Sequence, residues 1–376
     1  MRPLVTYLND CLPAMTDLLV RLVNVESHTE DKAGVDAVGA MIEAELTALG
    51  AGITRYPHSA GGDHVAGVFN RGGGSPISLY LHMDTVYPAG TLDRRPVRVR
   101  DGSLYGPGAY DMKASHVIAL NAMRALRDLE CMPRREIRLV FTSDEETGSR
   151  LSRGLIEETA RDAALAMVME PALPDGGLKS SRKGTGLFKV KAYGRAAHAG
   201  AAHAQGINAI QEIAHQVLAL QSLTDYERGV TFSVGVIRGG GVTNVVPDSA
   251  ELEVDTRATT LADAEWVERA VRRLAPVLPG ARLEIEGEFD RPPMPCDAGR
   301  LATFERVRLI GRSIGLEVTH GPSGGGSDAS FTAALGVPTL DGFGAVGDGA
   351  HSGGEHVLLS SLPERAALCA AVLAGW

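Results

Sequence analysis

Four shortages narrow what this 376-residue chain can be. Basic residues are outnumbered, 37 Lys and Arg against 46 Asp and Glu, and a net charge of −9 argues against a nucleic-acid partner. No apolar run is long enough to span a membrane, and residues 1–10 lack the uninterrupted apolar stretch of a signal peptide, so a cytoplasmic protein with no membrane partner is expected. Cysteine is scarce and scattered: Cys11, Cys131, Cys296 and Cys369 form no CxxC pair and no histidine stands at zinc-finger spacing. Reduced, mostly buried thiols follow. Aromatics make up only 5% of the chain, whereas glycine is abundant at 45, which implies many loops and some close approach to a ligand. The length suggests two domains.

What is present is a set of acids and histidines that follow strand-like runs. Glu145 and Glu146 stand side by side in Thr142-Ser143-Asp144-Glu145-Glu146-Thr147-Gly148, just after the branched and aromatic run Glu136-Ile137-Arg138-Leu139-Val140-Phe141. An isolated buried carboxylate carries a large desolvation penalty, so adjacent acids at the mouth of a sheet imply metal, pairing or open solvent. Ile77-Ser78-Leu79-Tyr80-Leu81 leads into His82-Met83-Asp84, Ala166-Met167-Val168-Met169 leads into Glu170, and a glycine-rich stretch carries His351. Open α/β sheets bind ligands beyond the carboxyl ends of their strands, which lets these residues converge on one point. The pattern points to a metallohydrolase.

Organisation agrees with that reading. Amphipathic patterns over residues 3–24 and 34–49 open the chain. Strand-like and helix-like segments then alternate at 64–70, 77–82, 113–129, 136–142, 150–160 and 165–169, which reads as an α/β domain with a mostly parallel mixed sheet flanked by helices. A different texture begins near Gly184. The order of strand 187–193, helix 207–220, strands 230–237 and 249–256, helix 261–274 and strand 282–286 is that of a ferredoxin-like α+β unit. Residues 291–295 then read as a hinge before helix 300–314. The expected division is a catalytic domain of residues 1–183 and 293–376, interrupted by an inserted dimerisation or lid domain at 184–292.

Five stretches, His82-Met83-Asp84-Thr85-Val86, residues 105–113 around Asp111, Ser143-Asp144-Glu145-Glu146-Thr147-Gly148, Met169-Glu170-Pro171 and His351-Ser352-Gly353-Gly354-Glu355, resemble in order the dinuclear zinc carboxypeptidase and aminoacylase family. Residues 194–202 around His198, and Thr243-Asn244-Val245-Val246-Pro247, resemble its glutamate carboxypeptidase branch. The resemblance implies two Zn²⁺, with Co²⁺ or Mn²⁺ as substitutes, and assigns His82 and Glu170 to one ion, His351 and Glu146 to the other, and Asp111 as the bridge. It implies that Asp84 orients His82, and that Glu145 is the general base that takes a proton from the attacking water and passes it to the leaving amine. It further implies a cis peptide after Asp111. His198 is expected to serve the active site of the other subunit of a homodimer by stabilising the oxyanion, with Asn244 alongside. Arg257 and the Gly325-Gly326-Ser327-Asp328 loop resemble the parts that hold a substrate carboxylate. The implied substrate is a small N-acyl amino acid or short peptide cleaved at an amide beside a free carboxylate.

Other readings explain less. Gly321-Pro322-Ser323-Gly324-Gly325 satisfies G-x-S-x-G, with Asp341 and His351 following in hydrolase-triad order, but a nucleophile elbow must pass straight into a helix and Gly324-Gly325-Gly326 opposes that. Gly342-Phe343-Gly344-Ala345-Val346-Gly347 spells G-x-G-x-x-G with no room for a following βαβ unit. A silent binding protein has no use for Glu145 beside every ligand type. Pro322-Ser323 stands where glutamate carboxypeptidases often carry an arginine, so an aminoacylase with a non-acidic preference remains the alternative.

Overall fold

The computed structural model describes residues 2–376 and divides into two compact units. The first runs to Ser181 and resumes over Cys296–Ser323 and Ser327–Trp376; the second comprises Arg182–Pro295 and Gly324–Gly326.

In the first unit a six-stranded sheet has the spatial order Gly52–Tyr56, His64–Phe69, Ile137–Thr142, Ile77–His82, Leu165–Val168, Thr339–Leu340. The two junctions at the Gly52–Tyr56 side are antiparallel and the remaining three are parallel. The central strands Ile77–His82 and Leu165–Val168 are buried at every position, as befits strands covered on both faces, and this is why they read as largely apolar runs, Ser78 and His82 excepted, rather than as alternating ones. Register places the site. His82 pairs with Thr142 and Tyr80 with Val168, so one sheet edge delivers His82, the turn after Thr142, and Glu170 two residues past Val168 at a common level.

The helices Ala114–Asp128 and Ser361–Gly375 pack against each other with nearly every residue buried. Their alanines keep the two backbones close, and the periodic apolar stripe of a surface helix is absent. The amphipathic stretch expected as one helix over 3–24 is two, Arg2–Asp10 and Leu12–Val23. Pro13 in the first turn of the second helix explains the restart, because proline lacks the N–H that an unbroken helix would require. The edge strand Gly52–Tyr56, a feature the sequence reading lacked, alternates only weakly between partly buried and exposed positions.

The second unit contains a four-stranded antiparallel sheet in the order Thr231–Gly239, Ser249–Ala258, Gly184–Tyr193, Arg282–Arg291. Helices Ala209–Gln221 and Leu261–Arg272 complete a β-α-β-β-α-β succession, and their inner residues join Phe188, Val190, Leu252 and Val254 in a separate core. Both helices are capped by side chains: Asn208 accepts from Gln211 N and Thr260 from Asp263 N. The last strand runs on through Arg291, so the stretch expected as a hinge begins as sheet.

Candidate metal centre

Five residues from five separate segments of the first unit meet. The imidazole Nε2 of His82 lies 3.1 Å from Asp111 Oδ1 and 3.6 Å from Glu170 Oε1. The Nε2 of His351 lies 3.4 Å from Asp111 Oδ2 and 3.2 Å from Glu146 Oε2. The two oxygens of Asp111 therefore face different imidazoles, each accompanied by its own glutamate. Glu145 joins the same cluster, with a carboxylate oxygen within 4.8 Å of ligand atoms of His82 and Glu170.

Local structure explains each placement. His82 ends a buried strand, and its side chain is 1% exposed. Its Nδ1 lies 3.0 Å from the backbone carbonyl of Asp84 and 3.5 Å from that residue's carboxylate, which fixes Nδ1 as the protonated nitrogen and turns Nε2 toward the acids. The Asp84 carboxylate, fully buried, accepts from Thr29 Oγ1 at 2.7 Å and from the backbone N–H groups of Glu145 and Glu146 at 3.2 Å each. One carboxylate thus ties the His82 strand to the turn Glu145–Thr147 that carries both glutamates. Thr29 was absent from the sequence reading, and His116, whose Nε2 lies 2.7 Å from the His82 carbonyl, reads in the sequence only as a surface or structural histidine, because each acts from a distant helix or loop with no local pattern. The Asp111–Met112 peptide is cis.

The electrostatics describe a cluster short of positive charge. Among the described residues no Lys or Arg pairs with Asp111 or Glu146; only the two imidazoles do. Burial pushes the Glu146 carboxyl up to about 7, eased by the His351 hydrogen bond and reinforced by the Asp111 and Glu145 charges. The hydrogen bonds to Asp111 and Glu146 raise His351 to about 10 against its partial desolvation. Desolvation opposes protonation of His82, yet Asp111 and Asp84 together lift it well above the usual histidine value. Asp111 resists burial and is held low by both histidines. Protons here stand in for cations. Glu146 Oε1 is buried without a hydrogen-bond partner, an expensive condition that a bound ion removes. Imidazole and carboxylate are the donors that divalent zinc accepts, so the residues fit a metal.

The remaining expected residues lie in the second unit. His198, exposed, accepts at Nδ1 from the backbone N–H groups of Gly200 at 3.1 Å and Ala201 at 3.0 Å, so its proton sits on Nε2, ready to donate. Asn244 neighbours it, its carbonyl accepting from Ala199 N at 2.9 Å. Arg257 is engaged bidentately by Asp255 at 2.8 and 2.7 Å. Gly325 accepts from Arg182 Nη1 at 3.3 Å, and Gly326 packs so tightly against Thr185 and Arg291 that a Cβ would come within 3.3 Å of each. The triad reading does not fit: His351 faces Asp111 and Glu146, Asp341 accepts from Ser327 Oγ at 2.8 Å, and the residues after Ser323 are loop before the helix Ala329–Ala334.

A profile described as Peptidase family M20/M25/M40 matches residues 78–375. The chain belongs to this family. Carboxypeptidase G2 of Pseudomonas sp. is 33% identical over 372 residues, covering 96% of this chain and 89% of its own length. A succinyl-diaminopimelate desuccinylase of Thiobacillus denitrificans is 29% identical, covering 93% of this chain and 92% of its own. Among solved structures, a tripeptidase of Staphylococcus aureus superposes with a TM-score of 0.80 at 22% identity, covering 96% of this chain and 98% of that one. An M20 family metallo-carboxypeptidase of Sulfolobus solfataricus gives 0.76 at 16% identity, covering 96% and 98%. These structures share the fold. As an M20 peptidase the chain is a metal-dependent amide hydrolase. No described helix is long and apolar enough to cross a membrane.

Proposed function

We propose that this M20 peptidase removes a C-terminal amino acid, glutamate or aspartate foremost, from an N-acyl or short peptidyl substrate, acting in the cytoplasm as a homodimer with two zinc ions per chain. The observation that carries the two-ion reading is Asp111, whose two carboxylate oxygens face His82 and His351 separately. His82 and Glu170 would hold one ion, His351 and Glu146 the other, and Asp111 both. Bound there, the ions supply Lewis acidity toward the scissile carbonyl and acidify the attacking water.

The chain's own groups do the rest. Glu145, beside His82 and Glu170 but outside the pairs around Asp111, accepts a proton from water as the oxygen attacks the carbonyl carbon. It then delivers that proton to the nitrogen as the C–N bond breaks, leaving a carboxylic acid and an amine. Asp84 keeps His82 in the tautomer that points Nε2 inward. In this reading His198 Nε2–H, supplied by a second copy of the chain, and Asn244 donate to the oxyanion, while Arg257 exchanges Asp255 for the substrate carboxylate with Gly325 and Gly326 beside it.

Similarity to carboxypeptidase G2 supports the carboxypeptidase reading. The desuccinylase relatives, together with Pro322-Ser323 ahead of the glycine loop, favour an N-acyl-amino-acid deacylase with a non-acidic preference as the second. The test is a panel of N-acyl amino acids and dipeptides that differ only in the released residue. The first reading expects the highest kcat/KM with Glu or Asp and loss of turnover when the terminal carboxylate is replaced by carboxamide. Equal turnover of the carboxamide contradicts both readings, and a preference for aliphatic residues selects the second.

A further inference from the structure

The His351 loop contains a second acid that touches no imidazole. Glu355 is 1% exposed, and its carboxylate is held chiefly by backbone, with the Tyr87 hydroxyl beside it. Oε2 accepts from Gly108 N at 3.0 Å, and Oε1 accepts from Tyr110 N at 2.9 Å and Asp111 N at 3.0 Å. The main chains also meet, with Gly106 N donating to the Glu355 carbonyl at 3.3 Å. Three amide dipoles converge on one buried charge, which is the arrangement that makes burying it tolerable.

What those three bonds hold is the turn that presents Asp111. Gly108 enters the turn at φ +71°, and a Cβ there would meet Thr85 Cγ2 at 2.5 Å, so the chain has little other way to pass. The same loop that carries Glu355 carries His351, four positions earlier, at φ +59°. Its intervening residue Ser352 is pinned through its carbonyl by Tyr87 Oη at 3.1 Å and Arg95 Nη2 at 2.8 Å. A satisfied structural glutamate needs partners anywhere; this one has Asp111's own N–H among its partners, on a loop that also supplies a candidate ligand.

We infer that Glu355 is a positioning residue that locks the Asp111 turn to the His351 loop, so that the two oxygens of Asp111 stay aimed at two different ions. The inference rests on the two-metal reading of the site. It gives Glu355 an effect on metal binding that does not pass through overall stability. Glutamine cannot replace it: whichever way the amide is turned, its NH₂ confronts either Gly108 N–H or the pair from Tyr110 and Asp111. Aspartate keeps the charge but falls a methylene short.

The test is a Co²⁺ titration of metal-depleted wild-type, Glu355→Gln and Glu355→Asp proteins, followed by visible absorption, with thermal melts of the metal-free forms. The expected result is two Co²⁺ per wild-type chain, about 10–100-fold weaker binding in both variants, the scale for residues that orient metal ligands, and an altered d–d spectrum at saturation. Metal-free melts of the variants should keep one cooperative transition. Wild-type affinity and spectrum in both variants would overturn the inference, as would weaker binding that only tracks lost metal-free stability while the saturated spectrum stays unchanged. A wild-type chain that binds fewer than two ions would instead defeat the two-metal reading itself, before any variant is considered.

Discussion

The two histidines of the cluster are chemically alike and structurally opposite. His82 closes a fully buried sheet strand with its side chain 1% exposed, its Nδ1 held by Asp84 and its carbonyl by His116. His351 sits in a loop at positive φ with its side chain 52% exposed, and the bonds that fix it belong to its neighbours Ser352 and Glu355. The sheet positions the first as part of folding, because a strand cannot shift register without moving its whole buried face. The second is positioned by hydrogen bonds added to a loop, which a single substitution can undo.

That contrast is sharpest where catalysis is separated from holding metal. Glu145→Gln should keep the metal content of the wild type while kcat falls about 10²–10⁴-fold, the usual scale for losing an acid–base group. Glu146→Gln should lower metal content instead. Metal analysis beside steady-state kinetics reads both, and a reversed pattern means the two roles are exchanged.

Next in size is the support beneath His82. Asp84→Asn removes the charge that holds His82, Thr29 and the Glu145–Glu146 backbone together, so metal affinity should fall about 10–100-fold in competition with a chelator. Unchanged affinity would mean that the Asp84 carbonyl alone orients the ring.

The fold itself supplies a third comparison. In metal-free protein His82→Ala should lose about 1–3 kcal/mol in denaturant unfolding, because it empties a fully buried position and takes from the buried Asp84 the imidazole beside it, leaving only Thr29 and two backbone amides. His351→Ala should lose less, because its side chain is 52% exposed and solvent screens its pairing with Asp111 and Glu146. Equal losses would show that the loop is as integral to the fold as the strand.

The smallest effect involves a strand-borne histidine outside the cluster. Burial first, and the nearby His58 second, hold His64 below the usual histidine value, and its Nε2 is buried with no hydrogen-bond partner. The folded state therefore binds this proton less readily than the unfolded chain, and stability from this group is full above the unfolded value of 6.5 and falls as pH drops below it. Melting curves between pH 7 and 5 should show a downward slope of at most about 1.4 kcal/mol per pH unit for one proton, reduced in His64→Gln. An identical slope in the variant would assign the acid sensitivity elsewhere.

These regions also differ in how much of them could be read in advance. His82, Glu145, Glu146 and Glu170 were legible because each follows a short apolar run, and parallel strands in register necessarily bring their ends together. The ferredoxin-like order was legible from its alternating strands. Family resemblance, rather than local pattern, pointed to Asp111, which lies in a turn, and gave a role to His351, which the residues offered only as a histidine in a glycine-rich stretch. Nothing in the residues themselves announced that Gly324–Gly326 would join the second unit, that Arg257 would pair with its near neighbour Asp255, or that Glu355 would bind three backbone amides. Those depend on long-range contacts, and single residues in loops carry no periodicity to betray them.

The most direct test of the central claim, that the acids and imidazoles around Asp111 form a two-ion centre for amide hydrolysis, is to titrate verified metal-free protein with Zn²⁺ while following hydrolysis of an N-acyl glutamate and counting bound ions. The account predicts no turnover without metal, two ions bound per chain at saturation, and activity restored as they bind. Full turnover in the metal-free protein would contradict it.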